Sequence, residues 1–178
     1  MNFLEEIWNR IISAFEDVFG FQGNLVPITN TMNVTEIPTP EQLPNQNDVD
    51  IAARTIWGEA RGEGFAGMQG VMNVISNRVK NGSFGSGFAG VCKKPFQFST
   101  WNRDDPNYPL ILQVGFNDKN FQIAMSLAEQ GEEGNLVDIT KGALYYYSSS
   151  IETPYWAENM VQTVIIGKTI FLKPAEVV

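Results

Sequence analysis

Arg54-Thr-Ile-Trp-Gly-Glu-Ala-Arg-Gly-Glu63 is the stretch on which the fold turns. Just before and within it, Val49, Ala52, Ala53, Ile56 and Ala60 recur at helical spacing, so the segment reads as a helix with one buried stripe. Asp48 or Asp50 is its expected N-cap. Glu59 stands seven residues after Ala52 and three after Ile56, which puts its carboxyl on that stripe and not on the wet face. A carboxyl so placed pairs with a cation, becomes neutral, or faces a cleft and does chemistry. Desolvation raises its pKa, and a raised pKa is what a general acid near neutral pH requires. Glu63 follows one helical turn later, and Arg54, Arg61 and Arg78 are near enough in sequence to offer a structural ion pair. Both readings of Glu59, ion-pair partner and acid, stay open on these residues. Gly58 and Gly62 each destabilise a helix by about 1 kcal/mol relative to Ala. They also leave room for a substrate or another helix to approach the backbone.

Working outward, a second helix is expected over 67–80, with Met68, Val71, Met72, Ile75 and Val79 inward and Asn81-Gly82 closing it. Residues 82–115 read as an irregular, aromatic stretch, the kind that is usually a functional loop or an element not recognised. A third helix runs from Asp118 to about Gln130, with Gly131 as its stop. Val161–Ile166 and Thr169–Leu172, joined by Gly167-Lys168, read as a two-residue β-hairpin. The expected class is therefore α+β, a mostly helical domain with a C-terminal hairpin, over 48–178.

Two further segments precede it. Residues 2–19 carry a wide apolar face (Phe3, Ile7, Trp8, Ile11, Phe15, Phe19) opposite Glu5, Glu6, Arg10, Glu16 and Asp17, which reads as an amphipathic helix ending at Gly20 and Gly23. It packs on its own domain or docks on a larger assembly; an acidic polar face disfavours a membrane surface. Residues 24–47, with Pro27, Pro38, Pro40 and Pro44 among Thr, Asn and Gln, read as an extended linker. The division is then 1–23, 24–47 and 48–178.

Composition removes several chemistries. Net charge is −8, with no Lys/Arg cluster, which argues against a nucleic-acid partner. Histidine is absent and Cys92 is alone, so no Ser-His-Asp or Cys-His site, no zinc set and no internal disulfide can form. No metal and no cofactor is expected. No stretch reads as a transmembrane segment, and charges interrupt any signal-peptide core at the N-terminus. Acid–base work falls to Asp, Glu, Tyr or Lys.

Tyr145-Tyr-Tyr-Ser-Ser-Ser-Ile-Glu-Thr-Pro-Tyr-Trp156 holds three consecutive tyrosines that cannot all face a core. Rings flanked by hydroxyls and amides suit a sugar, whose C–H face lies on the ring; ordinary loop packing is the other reading. Gln97, Ser99, Trp101 and Asn102 are candidates for the same groove. Asp104 and Asp105 are candidates for the second carboxylate of a two-carboxylate glycosidase, though Asp104-Asp-Pro-Asn reads as well as a solvated turn.

Arg54 to Glu63, continued by Asn73-Val-Ile-Ser-Asn-Arg-Val-Lys80, resembles the opening of the spore cortex-lytic cell wall hydrolase family. Cys92 with Gln97-Phe-Ser99, Gly142-Ala-Leu-Tyr-Tyr-Tyr147, Pro154-Tyr-Trp-Ala157 and Ile166-Gly-Lys-Thr-Ile-Phe171 resemble its later elements, in order, over about 48–173. The resemblance implies a lysozyme-like fold that cleaves the glycan strands of peptidoglycan. It puts the catalytic acid on Glu59, with Glu63, Gln97, Ser99, Trp101, Tyr146, Tyr147 and Trp156 as expected substrate-binding residues. Members are similar to lytic transglycosylases, which need one carboxyl group, not two. The chain departs at two family histidines, where Tyr145 and Thr169 stand. Residues 2–19 and the linker suggest a wall-degrading part of a bacteriophage particle, with other virion proteins as partners; an endolysin released to the wall is the neighbouring expectation. A catalytically silent structural or wall-binding virion protein is the alternative from a different class.

Overall fold

The computed structural model describes residues 46–175. The expected helix at 2–19 and nearly all of the expected linker lie outside the described residues. Within them, α1 (Gln46–Ala60), α2 (Gly64–Asn81), α3 (Gly87–Cys92), α4 (Tyr108–Gln113) and α5 (Lys119–Glu132) precede β1 (Tyr145–Ser148), β2 (Met160–Ile166) and β3 (Thr169–Pro174). Short 3-10 turns stand at Arg61–Glu63, Ser99–Trp101 and Tyr155–Ala157.

α1 is the central helix. Its stripe of Val49, Ala52, Ala53, Ile56 and Ala60 is buried, as the spacing required, in one cluster with Met68 and Met72 of α2, Val91 of α3 and Phe121 and Leu127 of α5. The alanines bring the neighbouring helices close. Thr55, a hydroxyl within this core, donates to Ile51 O and accepts from Trp101 Nε1, so its burial leaves no unpaired group.

Several boundaries differ from expectation for local reasons. α1 starts at Gln46, so Asp48 lies within its first turn and does not cap it. Asp48 instead accepts the Phe88 N–H at 2.9 Å and serves the N-terminus of α3, while Asp50 pairs with Arg54 at 2.7 Å. Gly82, at φ 79°, closes α2 by donating to Arg78 O and Val79 O, as expected. Gly131 does not stop α5, which runs to Glu132. A Cβ there would lie 2.6 Å from Met72 Cε, so this glycine lets α5 close on α2. Asp118 caps α5 by accepting the Phe121 N–H.

The stretch 82–115 is not structureless: it holds α3, α4 and the 99–101 turn. The expected hairpin is part of a three-stranded antiparallel sheet in the order β1-β3-β2. β3 is central, with Tyr145 opposite Leu172 and Ile166 opposite Thr169. Gly167, at φ 58°, takes the first central place of the hairpin turn. The sheet joins the helices through Phe171, fully buried with Val74 and Ala143. Its ring fills the space at Gly70 of α2, where a Cβ would lie 2.6 Å from Phe171 Cζ. This contact sets the distance between α2 and β3 and so places β1 beside the end of α1. Among the described residues no helix is long and apolar enough to cross a membrane.

Candidate active site

A cleft of about 400 Å³ opens where the C-terminal end of α1 meets α2, the 96–99 segment, β1 and the 155–157 turn. Glu59, Arg78, Phe96, Gln97, Ser99, Tyr145, Tyr146 and Trp156 line it. Glu59 is half-buried, and both of its oxygens are held. Oε1 accepts the Thr100 backbone N–H at 3.1 Å, and Oε2 accepts the Tyr146 hydroxyl at 3.0 Å. Burial pushes the Glu59 pKa above its ordinary value and Asp105 adds to the rise, while the Thr100 N–H, the Tyr146 hydroxyl and Arg78 oppose it. Tyr146 is itself held well above its ordinary pKa, by burial first and then by Glu59, so it stays a neutral donor.

The ion-pair reading of Glu59 does not describe this site, because each arginine is engaged elsewhere. Arg54 pairs with Asp50 and donates to Ile111 O and Val114 O. Arg61 lies 4.3 Å over the Trp57 ring and donates to Asn107 Oδ1. Arg78 is only 5% exposed and donates from Nε to Leu144 O at 2.8 Å. Its guanidinium sits 5.0 Å from the Phe84 and Phe98 rings and 5.8 Å from Tyr145. Burial lowers its pKa, yet an arginine remains charged throughout the working range. The cleft therefore carries one fixed positive charge near Glu59 without a salt bridge to it.

Gly58 explains how the Thr100 N–H reaches the carboxylate. A Cβ at that position would lie 2.8 Å from Ile111 Cγ2 and 3.0 Å from Thr100 Cβ, and closer still to Thr100 Oγ1. The room left by this glycine is filled by the 99–101 turn and by Ile111 of the short α4, not by a long partner helix of the bundle. Trp101 fastens the same turn, donating from Nε1 to Thr55 Oγ1 at 2.8 Å, with Lys93 Nζ 4.9 Å over its ring.

The structure brings Glu59, Gln97, Ser99, Tyr146 and Trp156 together on the cleft. It does not bring Glu63, Trp101, Tyr147 or Asn102 to its lining. Glu63 is exposed and accepts the Lys168 N–H at 3.5 Å, beside the β2–β3 turn, because the helix ends at Ala60 and the 3-10 turn redirects the chain. Trp101 faces α1. Tyr147 sets its ring edge-on to Trp156 at 6.0 Å, with its hydroxyl 3.4 Å from Thr153 Oγ1, and so supports the wall from behind. Asp104 is exposed. Burial pushes Asp105 upward, but hydrogen bonds from the Asn107 N–H and the Ser99 and Asn107 side chains hold it below its ordinary value. It belongs to the turn that the sequence suggests.

Arg78, Tyr145 and Phe96 also line the cleft and were not among the expected binding residues. Tyr145 meets Trp156 in a tilted contact at 6.0 Å and Phe84 edge-on at 5.7 Å. The Thr100 N–H, as a backbone group, has no signature in sequence. Among the described residues no group of three His, Cys, Asp or Glu could hold a metal ion.

A family model described as Cell Wall Hydrolase matches residues 62–172, more than half of the chain. The chain belongs to the cell wall hydrolase family. The matched span contains Arg78, the 96–99 segment, Tyr145, Tyr146 and Trp156, and it begins three residues after Glu59. Among curated proteins, this cell wall hydrolase is 32% identical to a spore cortex-lytic enzyme of Bacillus cereus over 139 residues, 74% of this chain and 47% of that one. It is 30% identical to the spore cortex-lytic enzyme of Oceanobacillus iheyensis over 129 residues, 72% of this chain and 42% of that one. The chain thus spans about half the length of the curated relatives it matches. Among solved structures it is similar to the catalytic domain of the germination-specific lytic transglycosylase SleB of Bacillus anthracis. That match has 31% identity and a TM-score of 0.58, over 74% of this chain and all of that one. The catalytic domain of Bacillus cereus SleB matches at 30% identity and a TM-score of 0.57, over 72% and 91%.

Proposed function

We propose that this cleft cleaves the glycan strands of peptidoglycan by lytic transglycosylation, with Glu59 as its single acid and base. The observation that carries the proposal is the Glu59 carboxyl, half-buried on the cleft between one backbone N–H and one tyrosine hydroxyl, with no cation among the described residues bonded to it. A raised pKa keeps it protonated nearer to neutrality, as an acid requires.

The steps balance without water. Glu59 gives its proton to the glycosidic oxygen, and the bond from that oxygen to muramyl C1 breaks, leaving positive charge at C1. Glu59, now a carboxylate, takes the proton of the C6 hydroxyl as that oxygen bonds C1, which closes a 1,6-anhydro ring and restores the acid. Thr100 N–H and Tyr146 O–H donate to Glu59 throughout, and both bonds strengthen when the carboxyl becomes an anion. They therefore favour the state reached after proton delivery more than the ground state. Asp105, tied to its own turn by the Asn107 N–H, is not needed in this scheme. The Bacillus anthracis neighbour is a lytic transglycosylase, which supports the same class of reaction.

The test is the Glu59→Gln variant on purified walls. It keeps shape and loses the titrating proton, and wall clearing at the parent's rate would remove Glu59 from the mechanism. A second reading, a silent wall-binding protein, is favoured by Tyr145 and Thr169 at the two family histidine positions; equal inactivity of parent and variant, both folded, would select it. The proposal extends to location. The amphipathic pattern over 2–19 and the proline-containing 24–47 suit a tether to other proteins of a phage particle. Detection of the chain in purified particles is the measurement for it, and absence from them would remove that part alone.

A further inference from the structure

Phe96 breaks two local rules at once. Lys94-Pro95-Phe96-Gln97 forms a β-turn, with the Gln97 N–H donating to Lys94 O at 3.2 Å. Proline stands second, and Phe96, third, has φ 65°. That combination is a type II turn, whose third position calls for glycine or asparagine because a Cβ is crowded at positive φ. A phenylalanine there is strained. Its ring gains nothing from the fold in return, since Phe96 is 96% exposed. Strain and exposure coincide at a residue that lines the cleft shared with Glu59. The lining of the same cleft is aromatic elsewhere too, with the Trp156 and Tyr145 rings in tilted contact at 6.0 Å.

We propose that Phe96 is a glycan-stacking residue, its ring the apolar platform on which one sugar of the wall strand lies as the strand passes Glu59. The proposal rests on the glycan-cleaving function above and adds a binding residue to it. A sugar offers a face of C–H groups to an aromatic ring, and burying that face against an already exposed phenylalanine removes apolar surface of both from water. The left-handed backbone holds the ring out from the turn, toward the cleft mouth. Substrate thereby supplies the contact that the fold withholds.

The turn itself provides the test. Phe96→Gly fits the type II position better and removes the ring, so stability and binding should separate. Phe96→Tyr keeps an aromatic face on the same strained backbone. In the full chain, Tm, and KM and kcat on soluble uncrosslinked glycan strands, are measured for parent and both variants. Binding of the same strands is measured by calorimetry in the Glu59→Gln background with and without Phe96→Gly. For Phe96→Gly the expected Tm lies within about 2 °C of the parent or above it. KM should rise about tenfold, which corresponds to about 1.4 kcal/mol of binding, with kcat changed by less than about twofold. Phe96→Tyr should stay near the parent. An unchanged KM in Phe96→Gly, while the parent cleaves and Glu59→Gln does not, overturns the stacking role and leaves the glycan-cleaving function standing. A Tm loss above about 5 °C marks a structural ring and also overturns it. No cleavage by the parent and no binding by Glu59→Gln removes both together.

Discussion

Adding one methyl group at Gly58 should disable the acid without touching it. In Gly58→Ala the new Cβ would stand 2.8 Å from Ile111 Cγ2 and 3.0 Å from Thr100 Cβ. Carbon atoms pack comfortably at about 3.5–4.0 Å, so Thr100 and Ile111 must each withdraw by about 0.5–1 Å. The Thr100 N–H donates to Glu59 Oε1 at 3.1 Å; the same withdrawal carries it past the range of about 2.7–3.2 Å in which such a bond is effective. Overpacking costs about 1–3 kcal/mol, and replacing glycine in a helix returns about 1 kcal/mol. The net is a loss of about 0–2 kcal/mol, so Tm falls by only a few degrees. Activity falls much further, about 100-fold, because a preorganised donor to the developing carboxylate is lost. The Thr100 N–H also holds the Glu59 pKa down, so its loss moves the alkaline limb of the kcat–pH profile to higher pH. Thr100→Ala removes the most crowded atom, Oγ1, which is buried and makes no hydrogen bond. The double variant Gly58→Ala, Thr100→Ala should therefore recover part of the activity lost in Gly58→Ala, a coupling that a double-mutant cycle reads directly. Parent-like kcat in Gly58→Ala, or no recovery in the double variant, would refute the role assigned to this contact.

Three other outcomes follow from the same geometry. Glu59→Gln should lower cleavage by at least about 100-fold. The Glu59 pKa is raised in the folded state, so the carboxyl's favourable contribution to stability is complete below about pH 4.5 and is lost as pH rises through its folded pKa. Tm of Glu59→Gln minus Tm of the parent should accordingly grow as pH rises through that window, and a flat difference would contradict the shift. Tyr146→Phe removes the donor to Glu59 Oε2 but keeps the ring 5.9 Å from Phe171, so Tm should change little while the alkaline limb of kcat moves up. Gly70→Ala drives a Cβ into the Phe171 ring at 2.6 Å; it should destabilise the fold by about 1–3 kcal/mol in denaturant melts.

The period of apolar residues made α1, α2 and α5 legible in sequence, and with them the placement of Glu59. Those helices run 15, 18 and 14 residues, enough turns for a stripe to show. α3 and α4 have six residues each, too few for periodicity to stand out from a loop. β1 escaped for a different reason. Its four residues pair with β3, some 25 residues away, and nothing in Tyr145-Tyr-Tyr-Ser148 announces that partner. Glycine rules worked at Gly82 and Gly167, where φ is positive, and misled at Gly131, where the need was room for Met72. Asp48 caps a helix, but one that starts about 40 residues later. Side-chain type marked Trp101 and Trp156 alike, yet only the fold separates the one that anchors a turn from the one that lines the cleft. Phe96 carried a signal in its place after Pro95, where a type II turn wants glycine, but the turn type is visible only once φ is known.

The central claim is that Glu59 alone serves as acid and base on a glycan strand. Its most direct test is digestion of purified peptidoglycan by the full chain and by Glu59→Gln, with products read by mass spectrometry. New 1,6-anhydromuramyl ends from the parent, and none from Glu59→Gln, are the predicted result. Ordinary reducing ends would make water the nucleophile and require a second carboxylate, and an intact glycan after treatment with folded parent would contradict cleavage itself.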